Sequence, residues 1–148
     1  MKDYSTGVVK RALVAEDDPV ISVVCSKVLN REGFAVDIAA NGEIAQDMLQ
    51  KKVYNLCLFD ISTPAVNGRQ LYEYIVEKYP KLVNGLIFTT RGVVDRDTQA
   101  FLEQTGIPFL HNPFAPEWIE GVLSQALKRI EKGLVNEREG IAIVGDVE

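Results

Sequence analysis

The sequence has only two cysteines and one histidine among its 148 residues, and it has no long hydrophobic run. Cys25 and Cys57 both lie inside short apolar segments, which predicts two buried thiols in a reducing compartment. No apolar segment approaches the roughly 18 residues that a membrane span needs, and the N-terminus lacks the pattern of a signal sequence. We therefore expect a soluble, cytoplasmic protein with no part in a membrane.

Basic residues are fewer than acidic ones. The chain has 16 lysines and arginines against 21 aspartates and glutamates, a formal net charge of −5, and its basic residues form no cluster. Because nucleic acids are bound largely through basic surfaces, this composition argues against a nucleic-acid interface within the chain.

The length and the hydrophobic content of 47% suffice for one domain with a substantial core, but not for two domains of ordinary size. Residues 1–10 are polar and irregular and are predicted to be a leader. We assign residues 11–133 to the folded domain and residues 134–148 to a C-terminal tail or linker.

Five short apolar segments alternate with amphipathic helical patterns. The predicted strands are 12–15, 34–39, 56–60, 86–90 and 107–110. Pro19 fits the first turn of the first helix, Asp95 fits the start of the fourth helix and Gly106 its end, and Ile44, Met48 and Leu49 are expected on the apolar face of the second helix. Alternation of strands and helices predicts a flavodoxin-like, doubly wound (βα)5 fold, with a five-stranded parallel sheet and helices on both faces.

Polar residues stand where four of these strands end. Parallel strands bring their carboxyl ends to one edge of the sheet, so the side chains of Glu16, Asp17, Asp60, Thr90 and Asn112 should be neighbours there. Carboxylates held close together repel unless a proton or a cation intervenes, and oxygen ligands favour Mg²⁺. One carboxylate would remain free to attack a phosphoryl group, although Asp60 taken alone also fits a helix cap.

These residues resemble the receiver domains of two-component response regulators. The acidic segment 14–19 resembles the opening of such domains, and 60–68, with proline at plus four and glycine at plus eight from Asp60, resembles their phospho-acceptor loop. The resemblance covers about residues 10–130. It implies that Asp60 is the phosphorylated aspartate and that Thr90 is the switch hydroxyl.

The same resemblance implies a magnesium site. Glu16, Asp17 and Asp60 would supply carboxylate ligands to Mg²⁺, and Ser62 would supply its backbone carbonyl. The implied partner is a histidine kinase or a phosphotransfer protein. A similarity of residues 98–108 to the receivers of hybrid histidine kinases is a weaker association.

The sequence departs from the family pattern around the fifth strand. Asn112 stands where the family has a lysine that pairs with the phosphoryl oxygen, and the resemblance implies a cis bond between Asn112 and Pro113. Arg91 follows the switch threonine, where a small residue is usual; it is either a solvated loop charge or a group that replaces part of the missing lysine. Phe109 has no hydroxyl and is expected only to pack, while His111 is expected to be a surface or packing residue.

Our leading hypothesis is a phospho-accepting receiver that changes the surface of its fourth helix, fifth strand and fifth helix. The alternative is a degenerate receiver that binds proteins without phosphorylation, because Asn112 replaces the lysine. We do not expect an enzyme: a phosphatase that uses a strand-end aspartate would need a second acid at Ser62, and a flavodoxin would need a hydroxyl-rich loop after the first strand. A weak homodimer through the apolar side of residues 116–130 stays open, since the same side must cover the sheet.

Overall fold

The computed structural model describes residues 10–61, 68–91, 94–112 and 115–139. Its elements in chain order are β1 (Lys10–Ala15), α1 (Pro19–Arg31), β2 (Phe34–Ala39), α2 (Gly42–Lys51), β3 (Leu56–Asp60), α3 (Gly68–Lys78), a 3-10 helix (Pro80–Gly85), β4 (Leu86–Arg91), α4 (Arg96–Thr105), β5 (Phe109–Asn112) and α5 (Pro116–Glu139). The strands form one parallel sheet in the order β2-β1-β3-β4-β5. The predicted doubly wound fold is confirmed.

The helix ends follow local chemistry. Asp18 caps α1 by accepting a hydrogen bond from the backbone N–H of Val20 at 2.9 Å, and Pro19 is the first residue of the helix. Asp95 caps α4 through the N–H of Thr98 at 2.8 Å, and α4 ends at Gly106, whose φ of 67° lies in the left-handed region that favours glycine. The predicted starts at Pro19 and Asp95 and the predicted end at Gly106 are confirmed.

Two hydrophobic cores lie on opposite faces of the sheet. Along β3 the side chains alternate, so that Cys57 and Phe59 pack in one core and Leu56 and Leu58 pack in the other. All five residues of β3 are buried, which explains why this strand is an uninterrupted apolar run up to Asp60.

Both cysteines are free and buried, as predicted. Burial raises the pKa of the Cys25 thiol to about 12 and raises that of Cys57 further. These thiols are therefore structural and not reactive.

Four local predictions need correction. Strand β1 covers Lys10–Ala15 and not 12–15, so Lys10 belongs to the sheet and not to the leader. Strand β5 covers Phe109–Asn112 and not 107–110, because Pro108 has no N–H to donate and supplies only its carbonyl, which accepts a hydrogen bond from Phe88 at 3.0 Å. Strand β4 continues one residue further, to Arg91. Ile44 is 41% exposed, and Ala45 takes a buried position on α2 instead.

Helix α5 continues to Glu139 and so extends into the range assigned to a tail. The side of α5 that carries Ile119, Val122, Leu123 and Ala126 is buried against the sheet and α1. Among the described residues, no helix has the length and apolar character required to cross a membrane.

Candidate functional site

The carboxyl edge of the sheet gathers acids from β1 and β3. Glu16 directly follows β1, and its backbone N–H donates to the carbonyl of Ala39 at 2.9 Å, which ties the end of β1 to β2. Asp60 is the last residue of β3, and the N–H of Ile61 donates to the carbonyl of Thr89 at 3.0 Å. The backbone around both acids is thus fixed by neighbouring strands.

Glu16, Asp17 and Asp60 offer carboxylate oxygens that all lie within 4.8 Å of one another. The side chains of Glu16 and Asp60 are fully buried, while that of Asp17 is 33% exposed. The structure therefore brings together the three acids that the sequence placed at this edge.

Glu16 is the least satisfied of the three acids. Its Oε2 accepts a hydrogen bond from the N–H of Asp18 at 3.1 Å, whereas its Oε1 is buried and has no hydrogen-bond partner within the part of the chain that the structure describes. Burial raises the pKa of Glu16 to about 7 against the opposing effect of the Asp18 hydrogen bond, and the negative charge of Asp60 raises it as well.

Arg91 supplies the positive charge at this site. Its Nε donates to Asp60 Oδ2 at 2.8 Å, and its guanidinium donates to Glu16 Oε2 at 2.9 Å and to Asp17 Oδ1. Burial acts to lower the pKa of Arg91, but the hydrogen bonds and charges of Asp17 and Asp60 outweigh it and raise the pKa above its ordinary value. The hypothesis of a solvated loop charge is wrong: Arg91 ends β4 and pairs with all three acids.

Thr90 is almost fully buried, and its hydroxyl lies 2.7 Å from Nδ1 of His111. The two residues are direct neighbours in the pairing of β4 with β5. His111 is exposed, as expected, but its hydrogen bond to Thr90 was not predicted. The adjacent Thr89 pairs with Asp60 in the sheet, and its buried hydroxyl has no hydrogen-bond partner in the described segments.

Some predicted features lie outside the described residues. These are the Ser62 carbonyl, the loop that contains Pro64, and the bond between Asn112 and Pro113; for Asn112 itself, the backbone is described as the end of β5. Phe109 is 38% exposed, so it packs less completely than expected.

The described acids fit a hard divalent cation. They are oxygen donors at the ends of neighbouring strands and they are close enough to share one ion. A buried oxygen of Glu16 also has no hydrogen-bond partner among the described residues. Such a donor set is typical of Mg²⁺ in proteins. A cavity of about 150 Å³ lies next to Arg91, and its lining also includes Thr90, Arg69 and Asp95.

Comparison with known proteins agrees with this arrangement. The profile of the response regulator receiver domain matches residues 12–124. The chain is 31% identical over 127 residues to the transcriptional regulatory protein TctD of Salmonella typhimurium, an alignment that covers 86% of this chain and 55% of TctD. It is 32% identical over 120 residues to the response regulator Rre1 of Synechocystis, covering 79% of this chain and 51% of Rre1. The chain thus spans about half the length of these curated relatives.

Solved structures with the same fold include a response regulator receiver domain protein (CheY-like) from Methanospirillum hungatei. It superimposes with a TM-score of 0.72 at 25% identity, over 84% of this chain and 99% of that one. The beryllofluoride-activated receiver domain dimer of NtrC4 superimposes with a TM-score of 0.71 at 25% identity, over 81% of this chain and 98% of that one.

Proposed function

Since the chain belongs to the response regulator receiver domain family, we propose that it accepts a phosphoryl group on Asp60 and changes its surface in response. The observation that carries this proposal is the position of Asp60: its carboxylate ends the central strand, is buried, and lies among two further acids and a guanidinium. A phosphorylation site needs such a combination of a nucleophilic oxygen and nearby charge control.

In the proposed step, a carboxylate oxygen of Asp60 attacks the phosphorus of a phosphohistidine on a histidine kinase or phosphotransfer protein. A new oxygen–phosphorus bond forms, giving an acyl phosphate, and the nitrogen–phosphorus bond of the donor breaks. The departing imidazole nitrogen keeps the electron pair of that bond and takes up a proton from water. Phosphorylation is thus a transfer onto this protein, and we class the chain as a signalling module and not as an enzyme.

Glu16, Asp17 and Asp60 would hold Mg²⁺, with the carbonyl of Ser62 as a further proposed ligand. When bound, Mg²⁺ supplies positive charge that partly neutralises the incoming phosphoryl group. Arg91 lies at the same location, with its Nε 2.8 Å from Asp60 Oδ2, and a guanidinium that gives up the acids to the metal would stay within side-chain reach of a phosphoryl group on Asp60. It can therefore replace part of the positive charge that the family's lysine, here Asn112, would provide.

Thr90 is the proposed switch residue. A hydroxyl that turns toward a phosphoryl oxygen on Asp60 must give up its present partner, Nδ1 of His111. Because His111 lies on β5, this exchange would transmit the state of Asp60 to β5 and the adjoining helices α4 and α5. We propose a cytoplasmic module that contacts neither nucleic acid nor a membrane through the described residues.

A second candidate function is a binding module that works without phosphorylation. Two observations favour it: Asn112 offers no charge where the family has lysine, and Arg91 already neutralises part of the acid cluster. A neutral hydrogen bond contributes about 0.5–1.5 kcal/mol and a charged one about 1.5–3 kcal/mol, so the missing lysine costs roughly tenfold in phosphorylation. This handicap weakens the reaction and does not abolish it.

Acetyl phosphate with Mg²⁺, followed by intact mass measurement, tests the proposal. We expect the mass gain of one phosphoryl group on the parent, no gain on Asp60→Asn, and about tenfold more adduct or a faster reaction on Asn112→Lys. Asp47→Asn, which removes an exposed acid of α2, is the matched control and should react like the parent. An adduct on Asn112→Lys but none on the parent would favour the binding module.

Self-association is proposed to be weak. The buried side of α5 is used by the sheet, so pairing would have to use other side chains, of which Trp118 is 56% exposed. The NtrC4 receiver domain is described as a dimer in its beryllofluoride-activated form. Sedimentation of this chain with and without beryllofluoride should show a small, concentration-dependent increase in mass in the activated state; an unchanged monomer in both states would contradict the pairing.

A further inference from the structure

The acid cluster of Glu16, Asp17 and Asp60 already contains a cation that belongs to the chain. The guanidinium of Arg91 touches one oxygen of each acid: Oδ2 of Asp60 at 2.8 Å, Oε2 of Glu16 at 2.9 Å, and Oδ1 of Asp17. Each of these contacts is an ion pair as well as a hydrogen bond. A single side chain therefore joins the ends of β1 and β3 to the end of β4.

The energetic need for this cation follows from burial. The side chains of Glu16 and Asp60 are fully removed from water, and an isolated buried carboxylate carries a large desolvation cost. Guanidinium is suited to such a place because it is always charged, is weakly hydrated and donates several hydrogen bonds in a fixed plane. One guanidinium cannot balance three ionised acids, however, and Oε1 of Glu16 has no hydrogen-bond partner among residues 10–61, 68–91, 94–112 and 115–139.

We propose that Arg91 is a built-in counterion that occupies the magnesium site of this receiver and must leave before a divalent cation can bind. Arg91 contacts one oxygen of each of the three acids that would ligate the metal, so the guanidinium and the ion would compete for the same carboxylates. Two cations at one set of oxygens also repel each other. Binding of Mg²⁺ and seating of Arg91 are then mutually exclusive, and the metal affinity is lowered by whatever free energy the Arg91 contacts provide.

The surroundings of Arg91 allow its side chain to move away from the acids. Its side chain is 40% exposed, so the guanidinium can become hydrated without opening the core. The cavity of about 150 Å³ that Arg91 lines lies next to it, and its lining also includes one acid outside the cluster, Asp95, and one other cation, Arg69. Displacement thus requires a side-chain rotation and not the unfolding of β4.

This inference rests on the proposed function only in its choice of Mg²⁺; the counterion role itself is testable without metal or phosphorylation. Arg91→Met keeps much of the aliphatic stem and removes the charge. The matched control is Arg96→Met, which removes an exposed arginine at the start of α4. The two measurements are thermal unfolding in EDTA and calorimetric titration with Mg²⁺ at fixed pH and ionic strength.

In EDTA, we expect Arg91→Met to unfold at a lower temperature than the parent, while Arg96→Met unfolds at the parent temperature. With Mg²⁺ present, Arg91→Met should regain most of this loss. In the titration, the dissociation constant of Arg91→Met should be about tenfold or more below that of the parent, within the range of about 5- to 150-fold that is usual for coupled sites. Arg91→Lys, which keeps a charge but makes fewer contacts, should lie between the two.

Equal Mg²⁺ dissociation constants for the parent and Arg91→Met would overturn the proposed competition. Unfolding of Arg91→Met at the parent temperature in EDTA would overturn the counterion role. If none of the proteins binds Mg²⁺, the magnesium-dependent function fails, whereas a lower unfolding temperature of Arg91→Met in EDTA still supports the counterion. If Arg91→Met does not fold in EDTA, folding on addition of Mg²⁺ supports the proposal, and the Arg91→Lys titration decides the competition.

Discussion

The acids in two regions of this protein have different hydrogen-bond and ion-pair partners. On β2, Asp37 accepts a hydrogen bond from the hydroxyl of Tyr54 at 2.6 Å and pairs with Lys52 at 3.2 Å. At the carboxyl edge of the sheet, three acids share the single guanidinium of Arg91. The first group has one charge of each sign, and the second has a formal excess of negative charge.

The pKa values move in opposite directions in the two groups. The hydrogen bond from Tyr54 lowers the pKa of Asp37 below its ordinary value, whereas burial raises the pKa of Glu16 to about 7. A balanced group stabilises its acid in the charged form, and an unbalanced buried group disfavours it. Excess charge beside an unpartnered buried oxygen therefore indicates a site for a ligand, whereas a pair of balanced charges indicates a structural role.

The largest predicted effect concerns the packing of Gly68 against Ile61 at the carboxyl edge of the sheet. Gly68 lies against the residue that follows Asp60: a Cβ at this position would be 2.1 Å from Cα of Ile61, and the N–H of Gly68 donates to the carbonyl of Ile61 at 3.0 Å. We expect Gly68→Ala to lower the free energy of unfolding by about 3 kcal/mol or more, because backbone atoms would have to move. Urea unfolding measures this.

Gly121→Ala is the matched control for that substitution. Gly121 lies exposed on α5, and a Cβ there would meet no atom within 4 Å. Alanine should therefore stabilise the helix by up to about 1 kcal/mol. If Gly68→Ala were as stable as Gly121→Ala, the close contact between Gly68 and Ile61 would not require glycine, and the prediction would be wrong.

A smaller effect is expected on Mg²⁺ binding, which should depend on the acids at the carboxyl edge and not on Asp37. Asp17→Asn removes a charged ligand from the edge cluster and should weaken Mg²⁺ binding by roughly tenfold or more, since charge count and ligand number set affinity for hard cations. Asp37→Asn removes the same charge from the balanced group and should leave Mg²⁺ binding unchanged. Calorimetric titration distinguishes them; equal affinities of the parent and Asp17→Asn would show that the metal ligands are wrongly assigned.

Much of this molecule follows from the sequence alone. The parallel sheet with helices on both faces follows from the alternation of apolar strands with amphipathic helices, and the meeting of Glu16, Asp17 and Asp60 follows from the rule that parallel strands end at one edge. These predictions depend only on backbone topology, which a periodic pattern determines well.

The contacts of Arg91 and His111 did not follow in the same way. The long side chain of Arg91 can reach solvent or the acids from the same backbone position, and only the packed structure decides between them. The prediction ended the fifth strand at 110, which left His111 outside the sheet; its pairing with Thr90 requires the observed register. Pro108 caused that error, because an apolar sequence can continue through a residue that cannot donate to the sheet.

The smallest predicted effect concerns the group of Asp37, Tyr54 and Lys52. Tyr54→Phe removes the hydroxyl that donates a hydrogen bond to Asp37. Tyr54 is buried, but the side chain of Asp37 is 29% exposed. Solvent therefore screens this charged hydrogen bond, and we expect a loss of about 1 kcal/mol in the free energy of unfolding at pH 7. Tyr74→Phe, which removes a hydroxyl that accepts from the neutral Gln50 at 3.3 Å, is the control.

The stability difference between the parent and Tyr54→Phe should depend on pH. Because the folded pKa of Asp37 is lowered from its ordinary value near 3.9, the stabilisation is fully present above about pH 4 and is lost as pH falls through the folded pKa. Burial, and next the bond to Asp37, raise the pKa of Tyr54, so the parent also loses stability above about pH 10, where the unfolded tyrosine ionises first. Urea unfolding of the parent and Tyr54→Phe should therefore differ most between these limits and converge in acid, while Tyr74→Phe shows no such convergence in acid. A difference that persists undiminished at pH 2 would mean that the Tyr54 hydroxyl stabilises the fold independently of the charge of Asp37.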